Sequence, residues 1–205
     1  TSDTNIYAVG DAVEVINPVT NMPALIPLAG PANKQARIVA DNILEGNNYT
    51  YKDAIGTSIA KVFDLTVAAT GVPAKVLKRL NVEHASSYTH SSSHAGYYPG
   101  SLPLSIKLVF APETGQLYGA QVVGFDGVDK RIEMMAQLIQ NKGTTFAVTG
   151  LEQAYAPPFS SANVAVNIAG FVAENIRKGK MNVVHWRDIA AIDPVKDFLL
   201  DVRTV

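Results

Sequence analysis

The sequence predicts an α+β fold, an antiparallel sheet flanked by helices. Three observations carry it. Strand-like apolar runs cluster between residues 58 and 123. The turn signal Pro112-Glu113-Thr114-Gly115 folds two of them into a hairpin. Two long amphipathic stretches stand among and after the strands without strict alternation, which favours a layered sheet over repeated βαβ units.

The elements follow in order. Ile6-Tyr7-Ala8-Val9, closed by Gly10-Asp11, reads as a buried strand. An Asn- and Pro-rich loop spans 17–27. A helix is expected over 31–45, with proline tolerated at its start and Gly46-Asn47 as its stop. Its inward face would hold Ala32, Ala36, Val39, Ala40, Ile43 and Leu44. Strands are expected at 58–63 and 65–69, a short helix at 73–80, and strands at 83–89, 104–110 and 116–123. A helix over 128–141 carries Val128, Ile132, Met135, Ala136 and Ile139 on one stripe and ends at Gly143. A second helix, 161–178, would turn Val164, Ile168, Phe171, Val172 and Ile176 inward. Arg177 and Lys178 suit its negative C-terminal end, and Gly179 follows. Beyond it, 183–184 reads as a strand, 188–189 as a helix start, and 198–202 as a strong strand.

Composition narrows the function. The chain has 205 residues, 47% hydrophobic and 17% charged, enough apolar matter for a real core. Seventeen basic residues face eighteen acidic ones, so no footprint for nucleic acid appears. No stretch suits a membrane span or a signal peptide. Cysteine is absent, which excludes a disulfide framework, a thiolate metal site and a cysteine nucleophile within this chain. The first residue is Thr1, which suggests a piece of a longer protein.

Several constellations could carry chemistry. In Thr4-Asn5-Ile6-Tyr7-Ala8-Val9-Gly10-Asp11, a strand-end glycine admits a close ligand and the aspartate can accept hydroxyl bonds. Read alone, it is equally a turn with a capping aspartate. The helix start at 27–33 offers free N–H groups to an anion, or is an ordinary proline-started helix. Tyr97, Tyr98 and Tyr155 lie in His94-Ala95-Gly96-Tyr97-Tyr98-Pro99-Gly100 and Tyr155-Ala156-Pro157-Pro158-Phe159-Ser160. Alone, they read as amphipathic packing residues. His84, His90 and His94 match no recognised zinc spacing. Ser91–Ser93 is a weak candidate for a nucleotide phosphate. Lys130 and Arg131 read as solvated or interface charges.

Together these segments resemble the pyridine nucleotide–disulfide oxidoreductases. The Ile6–Asp11 strand, followed by Pro27-Leu28-Ala29 and a small-residue helix, is similar to that family's second flavin-binding segment. The resemblance implies that Asp11, beside Gly10, binds FAD ribityl hydroxyls and that Leu28 and Ala29 face the flavin ring. Leu117-Tyr118-Gly119-Ala120-Gln121-Val122-Val123-Gly124 and Gly127-Val128-Asp129-Lys130-Arg131-Ile132 resemble its dimerisation domain, with Gly119 and Gly124 serving tight packing. The two tyrosine segments resemble the coenzyme A disulfide reductases. There two tyrosines of one subunit reach the thiol/disulfide site of the other, which maps onto Tyr97 and Tyr155 as catalytic residues. Asn163-Val164 departs from that pattern at the start of the last helix. The tail, with Trp186 and Phe198-Leu199-Leu200-Asp201-Val202-Arg203, resembles the opening of a rhodanese domain.

The resemblance implies three parts: a C-terminal segment of an FAD-binding domain at 1–50, a dimerisation domain at 51–179, and an incomplete rhodanese start at 180–205. It implies a cytoplasmic homodimer using FAD, NAD(P)H as electron donor, and coenzyme A as ligand or part of a thiol/disulfide substrate. No metal, nucleic acid or membrane partner is expected. An NADH oxidase or peroxidase of the same superfamily is the rival reading, and a non-catalytic dimerisation module the third. The fragment alone is expected to be inactive.

Overall fold

In the computed structural model, which describes residues 1–202, the central element is a five-stranded antiparallel sheet. Its strands are β3 (Ser58–Val62), β4 (Leu65–Gly71), β5 (Ala85–Ser92), β6 (Pro103–Phe110) and β7 (Leu117–Gly124), in the order β3-β4-β7-β6-β5. The 112–115 turn joins β6 to β7 as expected. Leu104, Ile106, Leu108 and Phe110 alternate along β6 and point to one buried face. That face is covered by helices α3 (Val128–Gln140) and α5 (Ala165–Arg177). Val109 points the other way, into a small second cluster with Val72 and Leu77 beneath helix α2 (Ala74–Arg79).

Helix α3 buries the expected stripe of Val128, Ile132, Met135, Ala136 and Ile139. It ends in a left-handed turn at Lys142, with Gly143 N–H donating to Leu138 O at 2.7 Å. The last helix differs from expectation. It starts at Ala165, four residues late, and turns Ala165, Val166, Ala169, Gly170 and Ala173 inward, leaving Phe171 exposed. The cause is close packing. A Cβ on Gly170 would stand 2.9 Å from the Thr149 backbone nitrogen in helix α4 (Thr145–Thr149). Only small residues allow that approach; of the expected face Val164 is buried and Ile176 packs on the core, while Ile168 and Val172 are half-buried and Phe171 is turned out. Helix α4 itself was not expected; the Thr144 hydroxyl caps it by accepting the Ala147 N–H.

Glu174 ties these pieces together. Its buried carboxylate takes hydrogen bonds from Thr145 and Arg177 and pairs with Lys178 at 2.9 Å. Arg177 also donates to Glu113 O in the β6–β7 turn at 3.1 Å. The Arg177 hydrogen bonds hold the carboxyl down at about 2, against an ordinary 4.5, with Lys178 and Thr145 adding to the effect. A depressed acid stabilises the fold fully above pH 4.5 and progressively less as the pH falls toward 2. Taken in full such a shift is worth about 3–4 kcal/mol, and screening by solvent brings the expected contribution to roughly 2–3 kcal/mol. Glu174→Gln is therefore expected to lower the urea midpoint at pH 7, with the gap to the parent shrinking by pH 3. An equal gap at both pH values would contradict this assignment.

Before the sheet stand a hairpin and a helix: β1 (Glu14–Asn17), β2 (Met22–Leu25) and α1 (Ala29–Glu45). The hairpin's second strand lies inside the 17–27 segment expected to be a loop, and its first runs up to the start of that segment. The 6–9 strand is not formed. Ile6, Tyr7 and Val9 are exposed, because no described strand lies beside them to take their backbone hydrogen bonds. Nor is the expected face of α1 buried. Ile43 and Leu44 are 63% and 84% exposed, while Gln35 and Asn42 turn inward. Past α5 the expected 183–184 and 198–202 strands are absent for the same reason. Phe198, Leu199, Leu200 and Val202 are exposed, with a single 3-10 turn at Ile189–Ala191. Arg203 of that motif lies outside the described residues. No helix among the described residues is long and apolar enough to cross a membrane.

Candidate functional site

Two clusters emerge. The first surrounds the start of α1. Gly10 opens a 3-10 turn, Gly10–Ala12, that packs on α1. It sits at φ +73°, where a side chain is strained, and its N–H donates to Gln35 Oε1 at 2.7 Å. Gly10 is thus anchored by the helix, and the neighbouring Asp11 side chain stays exposed to solvent. At the helix start the Leu28 N–H is already donated to Ile26 O at 2.8 Å. The free first-turn donors are those of Ala29 and Gly30, since Pro31 has none. A Cβ on Gly30 would meet nothing within 4 Å, so the space in front of these groups is open. A groove of about 1040 Å³ begins here, lined by Leu28, Gly30, Lys34, Tyr51, Met134 and Phe159 among others. The exposed Asp11 carboxylate suits hydroxyl donors of a ligand, and the positive helix end at the Ala29 and Gly30 N–H groups suits a ligand's electron-rich edge.

The second cluster is a pair of phenols. The Tyr97 and Tyr155 hydroxyl oxygens lie 3.1 Å apart, although 58 residues separate them in sequence. Both rings reach out from the surface, Tyr97 76% and Tyr155 49% exposed. Two stalks hold them. The 93–102 loop is closed at its neck by Ser93 N–H to Leu102 O at 2.8 Å and Leu102 N–H to Ser93 Oγ at 3.1 Å. The Ala95 N–H crosses to Ser160 O at 3.0 Å and ties this loop to the 155–160 segment. The Tyr155 hydroxyl beside it, then desolvation, raises Tyr97 above the ordinary phenol value, so it keeps its proton at neutral pH. One hydroxyl proton is spent within the pair. The other remains free to be donated outward.

Other candidates have different roles. Tyr98 turns away from the pair and meets the buried His94 edge-on, ring centroids 5.8 Å apart. Ser93 is buried and spends its backbone and hydroxyl on the loop neck, so it offers nothing to a phosphate. His84 and His90 bond to Val82 O and Ser105 Oγ, each at 2.8 Å. Among the described residues no group of three acidic, His or Cys side chains could hold a metal. Arg131 corrects the expectation of a surface charge, being only 1% exposed. Its place was readable: it follows Val128 by three positions and so falls on the buried stripe of α3. The helix begins just after Asn163-Val164, at Ala165, and the tyrosine pair is assembled all the same.

A family model for the dimerisation domain of the pyridine nucleotide-disulphide oxidoreductases matches residues 57–166. The chain belongs to that family. Coenzyme A disulfide reductase from Staphylococcus epidermidis is 35% identical over 170 residues, covering 83% of this chain and 38% of the relative. The crystal structure of reduced Bacillus anthracis CoADR-RHD superposes with a TM-score of 0.88 at 48% identity, over 93% of this chain and 34% of that one. An NAD-dependent persulfide reductase from A. fulgidus gives 0.84 at 36% identity, over 88% and 34%. This chain thus spans well under half the length of each.

Proposed function

We propose that the chain is the C-terminal portion of an FAD-dependent NAD(P)H:coenzyme A disulfide or persulfide reductase. The exposed Tyr97–Tyr155 hydroxyl pair carries this reading. Its parts would be the end of an FAD domain at 1–50, a dimerisation domain at 51–179, and the start of a rhodanese domain from 180. Apolar side chains uncovered on the sheet domain and tail, Phe63, Phe146, Phe171 and Phe198 among them, support a homodimer and a following domain. Relatives named for coenzyme A disulfide and persulfide reduction support the substrate class.

When bound, FAD would relay electrons from NAD(P)H to a disulfide, two electrons and two protons yielding two thiols. This chain's own residues have narrower tasks. The Asp11 carboxylate accepts hydroxyl hydrogen bonds of the cofactor's chain. The Ala29 and Gly30 N–H groups would receive the electron-rich edge of its ring, where the helix dipole favours negative charge. Tyr97 and Tyr155 present one phenolic proton to the sulfur that leaves as a thiolate, in the partner subunit's site.

The test uses the complete flavoprotein with coenzyme A disulfide, coenzyme A persulfide and dioxygen as competing acceptors. Turnover of a coenzyme A acceptor at least tenfold above dioxygen is expected. Dioxygen as the preferred acceptor would overturn the reading in favour of the oxidase. A second check concerns the first cluster. Asp11→Ala should leave the dimer folded but weaken FAD retention, since a hydrogen bond to a charged group contributes about 1.5–3 kcal/mol. Flavin content after gel filtration reads this out. Unchanged affinity would reduce Asp11 to a turn residue.

A further inference from the structure

Two neighbouring cations at the start of α3 reach two different loops. Arg131 is buried and donates through one guanidinium nitrogen to Ser93 O, at the neck of the Tyr97 loop. Its other terminal nitrogen donates to Gly127 O at 2.9 Å, fixing the guanidinium against its own helix start. Lys130 swings the opposite way, and its ammonium donates to Phe159 O in the Tyr155 segment. The Ala95–Ser160 bond then closes the circuit between the loops. Each loop is otherwise irregular backbone. Each has its own local closures, but besides the clamps the two stalks are joined by the Ala95–Ser160 bond and the phenol contact.

We infer that Lys130 and Arg131 are positioning residues which set the spacing and direction of the Tyr97–Tyr155 hydroxyls from a single turn of a core helix. Neither touches the phenols. They act on backbone carbonyls at the base of each stalk. The design puts the reference frame in a core helix, whose Val128, Ile132 and Met135 are buried in the sheet core. Arg131 Nε is buried with no partner among the protein atoms, so the guanidinium is held through its two terminal nitrogens. Loss of either clamp lets its stalk drift, and a displacement of about 1 Å at a catalytic group can cost on the order of 100-fold in rate.

The inference rests on the reductase reading, and the experiment separates the two. Lys130→Met, Arg131→Met, Tyr97→Phe/Tyr155→Phe and the combinations are made in the complete flavoprotein. Stopped-flow spectroscopy then follows flavin reduction by NAD(P)H and its reoxidation by coenzyme A disulfide. Lys130→Met should slow reoxidation about 3- to 10-fold and Arg131→Met about 10- to 100-fold, with flavin reduction unchanged. In the double-Phe background either change should add less than about twofold, because a clamp has nothing left to place. Hydrogen exchange gives a readout independent of turnover: peptides covering 93–102 should exchange at least about tenfold faster in Arg131→Met. If Arg131→Met does not fold, Lys130→Met, whose side chain is exposed, decides alone through reoxidation and exchange at 155–160. Equal slowing with and without the tyrosine hydroxyls would overturn the clamp, as would unchanged reoxidation in the single variants. If the double-Phe enzyme itself reoxidises normally, the tyrosine reading fails first. Unchanged exchange in both loops would overturn the clamp in that case too.

Discussion

Replacing both Tyr97 and Tyr155 by phenylalanine should slow flavin reoxidation by coenzyme A disulfide in the complete enzyme by about 30- to 1000-fold. Flavin reduction by NAD(P)H should keep its rate. The rings stay and only the hydroxyls go, so packing changes little. A donor aimed at a developing thiolate is worth about 2–4 kcal/mol of transition-state stabilisation, which sets the range. The single variants should sum to more than the double, since the 3.1 Å contact makes the two phenols one proton-donating unit. A mixed dimer locates the pair. One subunit lacks the flavin-proximal cysteine expected in the preceding part of the protein, and the other carries both Phe changes. About half the activity survives if the tyrosines act across the interface, because both defects then fall in one site. Little survives if they act within their own subunit. Normal reoxidation in the double variant would make the tyrosines packing residues.

The second large effect is on stability. Gly119→Ala should cost about 3 kcal/mol, seen as a lower urea midpoint. A Cβ there would stand 2.4 Å from Val72 O, and the obstacle is backbone. It cannot yield without breaking the Val72 N–H bond to Tyr118 O, 2.7 Å long, and the Gly71–Gly119 pairing. Gly96→Ala is the control. Its Cβ would meet nothing within 4 Å, so stability should change by less than about 0.5 kcal/mol and the midpoint should stay close to the parent's. Equal midpoints for the two variants would show that the β4–β7 approach is looser than described.

What was legible in the sequence divides along physical lines. Strands β6 and β7 and helix α3 were readable because each buries large apolar residues within this chain, which leaves a clean period. Leu104, Ile106, Leu108 and Phe110 are an example. The 6–9 and 198–202 segments carry the same signal, but a strand needs a neighbour to pair with, and none is described. The face of α5 was misread because its contact is made by Ala169, Gly170 and Ala173, and size was taken for burial. Of the site, the two tyrosine segments were found by their resemblance, while their hydroxyl contact spans 58 residues and no spacing foretells it. Leu28 was named for its backbone; the free donors fall one and two residues later, because a tight local turn uses the Leu28 N–H. The clamps were missed because a charged side chain was assumed to seek water, though Arg131 falls on the α3 stripe.

The narrow neck of the 93–102 loop has a consequence for how such an enzyme can change its substrate. Strand pairing between β5 and β6 is complete at Ser92 and Pro103, just below the Ser93–Leu102 closure. Residues 94–101 therefore contribute no pairing to the sheet. The tip behaves as an exchangeable module on a fixed socket: it can be lengthened, shortened or rebuilt with other side chains while no strand residue shifts register. New acceptor preferences could then arise by small steps in the tip, with the five-stranded sheet left out of the trade between stability and novelty that constrains most sites.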